Sequence, residues 1–343
     1  VRSHRAGLGN MPETIPPAHV GKPGYDTVMN HDVVTIADRL HAAGYRTYLT
    51  GKWHLGKTPD RLPTARGYDH AFSLADAGAD NFAQKPIAGL YSTANWSEDG
   101  HPARLPTPFY SSTFVVDRMM HYIDADSASG RPFLASINFL ANHIPVQAPD
   151  AWLARYQTQY RGGWSVLRQE RQRRMVAQGV LPATPMRVME TTPDWGSLPA
   201  PVQANATRSM QAYAAMASAM DAEIGRLVAQ LKATGQYDNT VFVFLSDNGP
   251  EPTDPMAHFR NRLYLRTQYD LEPGNIGRPG SFSYLGPGWA SAAAAPFAGY
   301  KFTASEGGLR VPLAITLPGQ SGQGGRISNA FTYVTDIAPT LLD

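Results

Sequence analysis

The sequence runs to 343 residues, 43% of them hydrophobic, with no cysteine and a formal charge of +2. That length and apolar share suffice for one large α/β domain or two ordinary ones with a sizeable core, and thirty basic against twenty-eight acidic residues lack the excess positive charge of a nucleic-acid binder. The missing cysteines exclude a disulfide framework, a thiolate metal site and a cysteine nucleophile within this stretch, and no run of about 18 apolar residues offers a membrane span.

The opening "VRSHRAGLGNMPE" has no apolar segment after its arginines and so does not read as a signal peptide; it reads as mid-domain sequence. From Asp32, "DVVTIADRLHAAG" places Val33, Ile36, Ala37 and Leu40 on one face, with Asp32 as N-cap and Gly44 as stop, and "YRTYLTG" follows as a strand delivering the chain to Lys52. Val115, Met119, Tyr122 and Ile123 after the cap candidates Ser111 and Ser112 predict a second helix, with Pro132 to Phe139 as the next strand. A third helix carries Met210, Tyr213, Ala214, Ala217, Met220, Ile224, Leu227, Val228 and Leu231 and stops at Gly235, before a strand within Thr240 to Gly249. Helix and strand thus alternate three times, which predicts a layered α/β fold around a largely parallel sheet. "VPLAITLPG" reads as a last strand, and "TDIAPTLLD" as the opening of a helix cut off at Asp343, so the chain is expected to stop inside its domain.

Two stretches lack a clear period. Residues 145–201 read as an excursion from the sheet in which Arg168, Arg171, Arg173 and Arg174 form a solvated helix face. Residues 251–298, rich in glycine, proline and aromatic residues, read as a long loop walling a site. The whole of 1–343 is expected to be a single catalytic domain.

In open α/β sheets ligands bind beyond the carboxyl ends of the strands, so the residues just after each strand come first. These are Lys52 and His54 in "GYRTYLTGKWHLG", His143 in "NHIPVQAP", and Asp247 and Asn248 in "LSDNGPE". A lysine beside a sulfate or phosphate holds two oxygens by charge-assisted bonds, a contact worth on the order of 4 kcal/mol at about 4 Å and an effective dielectric near 20, before desolvation. Asp247 and Asn248 offer hard oxygen ligands suited to Ca²⁺ or Mg²⁺, which take six or more. An Asp-Asn-Gly turn in which Asp247 caps the backbone accounts for the same three letters. His143 alone reads more readily as a structural histidine than as an acid or base, and Trp53 as packing. Lys301 lies five residues before Glu306-Gly307-Gly308 in "GYKFTASEGGLRVP".

Taken together and in this order, "GYRTYLTGKWHLG", "NHIPVQAP", "LSDNGPE" and "YKFTASEGGLRVP" resemble the sulfatases of the alkaline-phosphatase superfamily, most closely the bacterial arylsulfatase type. The resemblance implies an alkaline-phosphatase-like sheet flanked by helices and hydrolysis of sulfate monoesters, from an aryl sulfate to a sulfated glycan. By it, Lys52 and His54 match residues facing the sulfate, with His54 the candidate base. Asp247 and Asn248 match two ligands of one divalent cation, usually calcium, and His143 and Lys301 match residues touching the sulfate and its leaving oxygen. A phosphonate monoester or phosphodiester hydrolase of the same superfamily shares this architecture, and a non-catalytic binder of sulfated carbohydrate would keep the cradle alone. The tryptophans Trp152, Trp164 and Trp289 are expected to offer rings for stacking.

One departure stands out. The family's nucleophile is a hydrated formylglycine made from Cys or Ser in a C/S-x-P-x-R segment, and no such segment occurs here. The resemblance therefore implies a fragment, lacking the nucleophile segment and the C-terminal subdomain, and inactive by itself.

Overall fold

The computed structural model describes residues 2–9, 15–87, 90–183, 187–190, 192–319 and 324–343. The chain divides into two compact units, Val1–Ala141 with Phe331–Asp343, and Asn142–Ala330.

The first unit is built on a five-stranded sheet of order β4-β3-β2-β1-β5. Its strands are β1 (Arg46–Lys52), β2 (His70–Leu74), β3 (Trp96–Glu98), β4 (His101–Pro102) and β5 (Phe133–Asn138). β1 lies at the parallel heart, with β2 on one side and β5 on the other, while β3 and β4 add an antiparallel margin. Six of the seven β1 residues are buried, because successive side chains serve opposite faces and both are covered. Tyr48 stacks on Tyr122 of the Ser111–Ala125 helix at 5.9 Å. Leu49, its neighbour, packs instead with Met29, Trp53, Ala71 and Val33.

The helix after Asp32 begins later than its apolar spacing suggests. It spans Ile36–Ala42, and its N-cap is Thr35, not Asp32: the Thr35 hydroxyl accepts from the Asp38 N–H while the Asp38 carboxylate accepts from the Thr35 N–H. That reciprocal box satisfies two donors that the first turn would otherwise leave exposed. The serines expected to cap the second helix lie inside it and are buried. Asn81 does the capping work, its carbonyl accepting from the Ser111 N–H and its side-chain oxygen from the Ser111 hydroxyl.

In the second unit the Ala200–Ala233 helix runs for 34 residues, ten longer at its start than the run of apolar positions from Met210. The strand that follows, β6 (Phe242–Leu245), pairs antiparallel with β7 (Leu313–Thr316) in a two-stranded ribbon. Parallel pairing is therefore a property of β2, β1 and β5, and among the described residues β6 does not extend it.

Both irregular stretches contain helices. Gly163–Ala177 lies in the first, and Phe259–Gln268 and Gly286–Ala293 in the second. Arg168 departs from the expected solvated face: it is 5% exposed, and its Nε and Nη2 have no hydrogen-bond partner among the described residues. Trp289 and Trp164 are core residues rather than stacking platforms. They pack with Met210, Leu285 and Ala292, meet edge to face at 5.6 Å, and donate their indole N–H groups to the carbonyls of Ala206 and Pro193. Trp152 is half-buried with Arg155 stacked over its ring. No helix among the described residues is long and apolar enough to cross a membrane.

Candidate active site

In the first unit the end of β1 carries Lys52, Trp53 and His54. Gly51 makes that ending possible: its φ is +99°, and a Cβ there would fall on the backbone carbonyl of Asn138 in β5. Only glycine accepts both conditions without strain. The Asn138 side chain then donates to the Lys52 carbonyl at 2.9 Å, tying the turn to the sheet. Trp53 is buried and donates its indole N–H to the Arg61 carbonyl at 2.9 Å, which makes it packing, as the sequence suggests.

His54 has φ +51°, a left-handed conformation uncommon for a residue with a side chain. Its Nε2 lies 3.4 Å from the Tyr91 hydroxyl, which accepts from the Ala77 N–H at 3.0 Å. Lys57 sits over the Tyr91 ring at 4.0 Å and pairs with Asp76 at 2.5 Å. Asp76 is fully buried and also accepts from the Asn95 N–H and side-chain amide. No motif marks this group around His54 in the sequence, because Lys57, Asp76, Tyr91 and Asn95 are scattered over loops.

In the second unit, "LSDNGPE" leaves β6 and turns against the segment that precedes β7. Gly249 donates its N–H to the Gly308 carbonyl at 3.0 Å. Its Cα packs so closely that an added Cβ would strike the Gly307 carbonyl. The two glycine-bearing motifs therefore meet backbone to backbone, and Lys301 N–H donates to the Pro250 carbonyl at 3.1 Å beside them.

That contact assembles a cluster of three side chains. Lys301 Nζ lies 2.6 Å from Glu251 Oε2 and 3.1 Å from His143 Nε2. His143 Nε2 is also 3.6 Å from the same carboxylate oxygen, and the Phe302 ring lies 5.2 Å from the ammonium. His143 is held by its own Nδ1, 2.9 Å from the Ile144 carbonyl. The following backbone is knitted to residues 277–283 through Val146 N–H to Ser283 O, Gln147 Nε2 to Ser281 O and Ala148 N–H to Gly277 O.

Glu251 is 7% exposed. Burial pushes its carboxyl up, but the Lys301 charge and hydrogen bonds from Lys301 and Thr253 outweigh burial and hold it below the ordinary value. Lys301 and His143 were sequence candidates; Glu251 was not, although it closes one of the quoted motifs.

Asp247 and Asn248 follow β6 directly, Asp247 exposed and Asn248 half-buried. The Asn248 side-chain nitrogen donates to the Gly249 carbonyl at 3.0 Å, an arrangement that also suits a structural turn. Among the described residues no group of three or more His, Asp or Glu side chains is placed to hold a metal ion. Two oxygen donors match a hard cation in kind and fall short of its coordination number.

The sulfatase family model matches residues 7–343. An arylsulfatase of Klebsiella aerogenes is 36% identical over 345 residues, covering 99% of this chain and 73% of its own length. Among solved structures, i-CgsB in complex with k-i-k-neocarrahexaose superimposes with a TM-score of 0.55 at 22% identity, covering 92% of this chain and 52% of that one. A protein solved with its substrate D-glucosamine-2-N,6-O-disulfate gives 0.53 at 20% identity, covering 92% and 61%. At such identities the two structures speak for the fold, an α/β architecture with a mostly parallel central sheet, and the chain spans about half of the first and three fifths of the second. The family match over nearly the whole length and the identity to the Klebsiella enzyme agree with the motif order around β1, His143, β6 and Lys301: this chain belongs to the sulfatase family.

Proposed function

We propose that the whole protein hydrolyses sulfate monoesters, with an aryl sulfate or a sulfated glycan as substrate. The observation that carries the reading is the Lys301–His143 contact at 3.1 Å above a buried carboxylate. An ammonium and an imidazole so joined present cationic and proton-donating character to one small anion, which is what departure of an alcohol from sulfate requires. Lys52, half-buried at the end of β1, is assigned to binding an anionic sulfate oxygen. His54, whose Nε2 faces the Tyr91 hydroxyl, is assigned the role of base.

Asp247 and Asn248 are assigned as two ligands of a hard divalent cation, Ca²⁺ or Mg²⁺, which when bound would offset negative charge on the substrate. The sequence holds no cysteine and no Ser-x-Pro-x-Arg, so the residues of this chain supply anion binding and proton transfer rather than the nucleophile.

A phosphonate monoester or phosphodiester would meet the same cations. The test is therefore a paired assay of the whole protein on aryl sulfate and on phosphate and phosphonate esters of the same phenol. Sulfate preference in kcat/KM supports the proposal. Preference for the phosphorus esters replaces it with the related hydrolase, and saturable binding of sulfated sugar without turnover replaces it with a carbohydrate binder.

A further inference from the structure

We infer that Glu251 is a positioning residue for this chemistry, and that it makes Lys301, rather than His143, the proton donor to the bridging oxygen. The inference rests on the reading of the site given above and follows from counting donors and acceptors.

His143 Nδ1 lies 2.9 Å from the Ile144 carbonyl. A carbonyl oxygen only accepts, so the hydrogen is on Nδ1. In the neutral ring Nε2 is then an acceptor, and 3.1 Å away it meets Lys301 Nζ, which carries hydrogens alone. A second hydrogen on Nε2 would point a cationic ring at the ammonium, so the contact selects the neutral Nδ1–H tautomer.

Lys301 directs another hydrogen to Glu251 Oε2 at 2.6 Å. Two of its three ammonium hydrogens are thus assigned, and the third is the proton available to a ligand. Glu251 is itself fixed: its other oxygen, Oε1, accepts from the Thr253 N–H at 3.1 Å and from the Thr253 hydroxyl. One carboxylate oxygen is anchored to the turn after β6, the other aims the lysine, and the Lys301 N–H to Pro250 O bond holds the two segments in register.

In the reaction an oxygen nucleophile forms a new bond to sulfur while the ester S–O bond breaks. The breaking bond's electron pair stays on the bridging oxygen, and one Lys301 proton is transferred to it. The neutral amine left behind regains a proton from water. His143 accepts a hydrogen bond throughout and loses no proton.

The test compares wild type, Glu251→Gln and Glu251→Asp in the whole protein on 4-nitrophenyl sulfate and phenyl sulfate. Loss of an aimed proton hurts the poorer leaving group more. Glu251→Gln is expected to lower kcat on phenyl sulfate by about 100-fold, and on 4-nitrophenyl sulfate by less than about tenfold, with KM changed by less than about threefold. Glu251→Asp should recover part of the loss. Equal losses on both esters would indicate a purely structural role and overturn the inference.

Nitrogen NMR of the histidine rings in substrate-free wild type near neutral pH gives a second reading that needs no variant to fold. The His143 ring is expected as the Nδ1–H tautomer, and an Nε2–H ring or an imidazolium overturns the assignment. Should wild type cleave neither ester, the proposed function fails for aryl sulfates, while the ring tautomer, and its change in Glu251→Gln, still decides what Glu251 does.

Discussion

Replacing Lys301 with methionine keeps the length of the side chain and removes the charge that faces Glu251. The two groups are 17% and 7% exposed and 2.6 Å apart. Their gross attraction at an effective dielectric of 20 is about 6 kcal/mol, much of it offset by dehydration of both ions, while breaking such a pair by deleting one partner typically costs about 3–5 kcal/mol. Glu251 keeps the bonds from the Thr253 N–H and hydroxyl, so Lys301→Met should destabilise by about 2–4 kcal/mol at pH 7.

The pH dependence has a defined sign. In wild type the Glu251 carboxyl lies below its ordinary value of 4.5, so its contribution is present above that value and is lost as pH falls through the depressed one. Without Lys301, burial dominates and raises the carboxyl above the ordinary value, so the variant is penalised most at neutral pH and recovers as the carboxyl protonates. Urea denaturation of both proteins at pH 7 and at about pH 4.5 measures this, and adding Glu251→Gln to Lys301→Met should restore stability at pH 7. A penalty that is the same at both pH values, or a double variant no more stable than Lys301→Met, would refute the reasoning.

Gly51→Ala forces a side chain into φ +99° and onto the Asn138 carbonyl, and should destabilise by at least about 2 kcal/mol in urea; a neutral result would mean that β1 and β5 separate easily there. Trp289→Ala removes a ring that is 0% exposed and should destabilise by about 3–5 kcal/mol; lost sugar binding at unchanged stability would instead make the ring a substrate platform. The 343-residue chain by itself, with no cysteine and no Ser-x-Pro-x-Arg, is expected to give no turnover of 4-nitrophenyl sulfate, and metal-dependent turnover by the purified chain would contradict that.

What the sequence discloses and what it hides divide along a physical line. β1 is legible because its strand-favouring residues Thr47, Tyr48, Leu49 and Thr50 are consecutive and are closed at once by glycine. The tryptophan core is not legible, because the Gly286–Ala293 helix is eight residues long, too short to show a period, and its proline and glycines read as loop. The cap of the second helix is hidden for a related reason: its acceptor, Asn81, lies thirty residues upstream of Ser111, where no local rule looks.

Glu251 is the sharpest case. Its letter is in plain view three residues after Asn248, but its partner Lys301 is fifty residues away. What joins them is the antiparallel pairing of β6 with β7 and the approach of Gly249 to Gly308. The alternation of helix and strand suggests instead the next member of a parallel sheet. A strand period gives the faces of a strand but not the direction of its neighbour, and that direction decides which charge a carboxylate meets. Candidates named one strand at a time therefore arrive as isolated lysines and histidines, and their chemistry emerges once tertiary pairing fixes which hydrogens each of them has left to give.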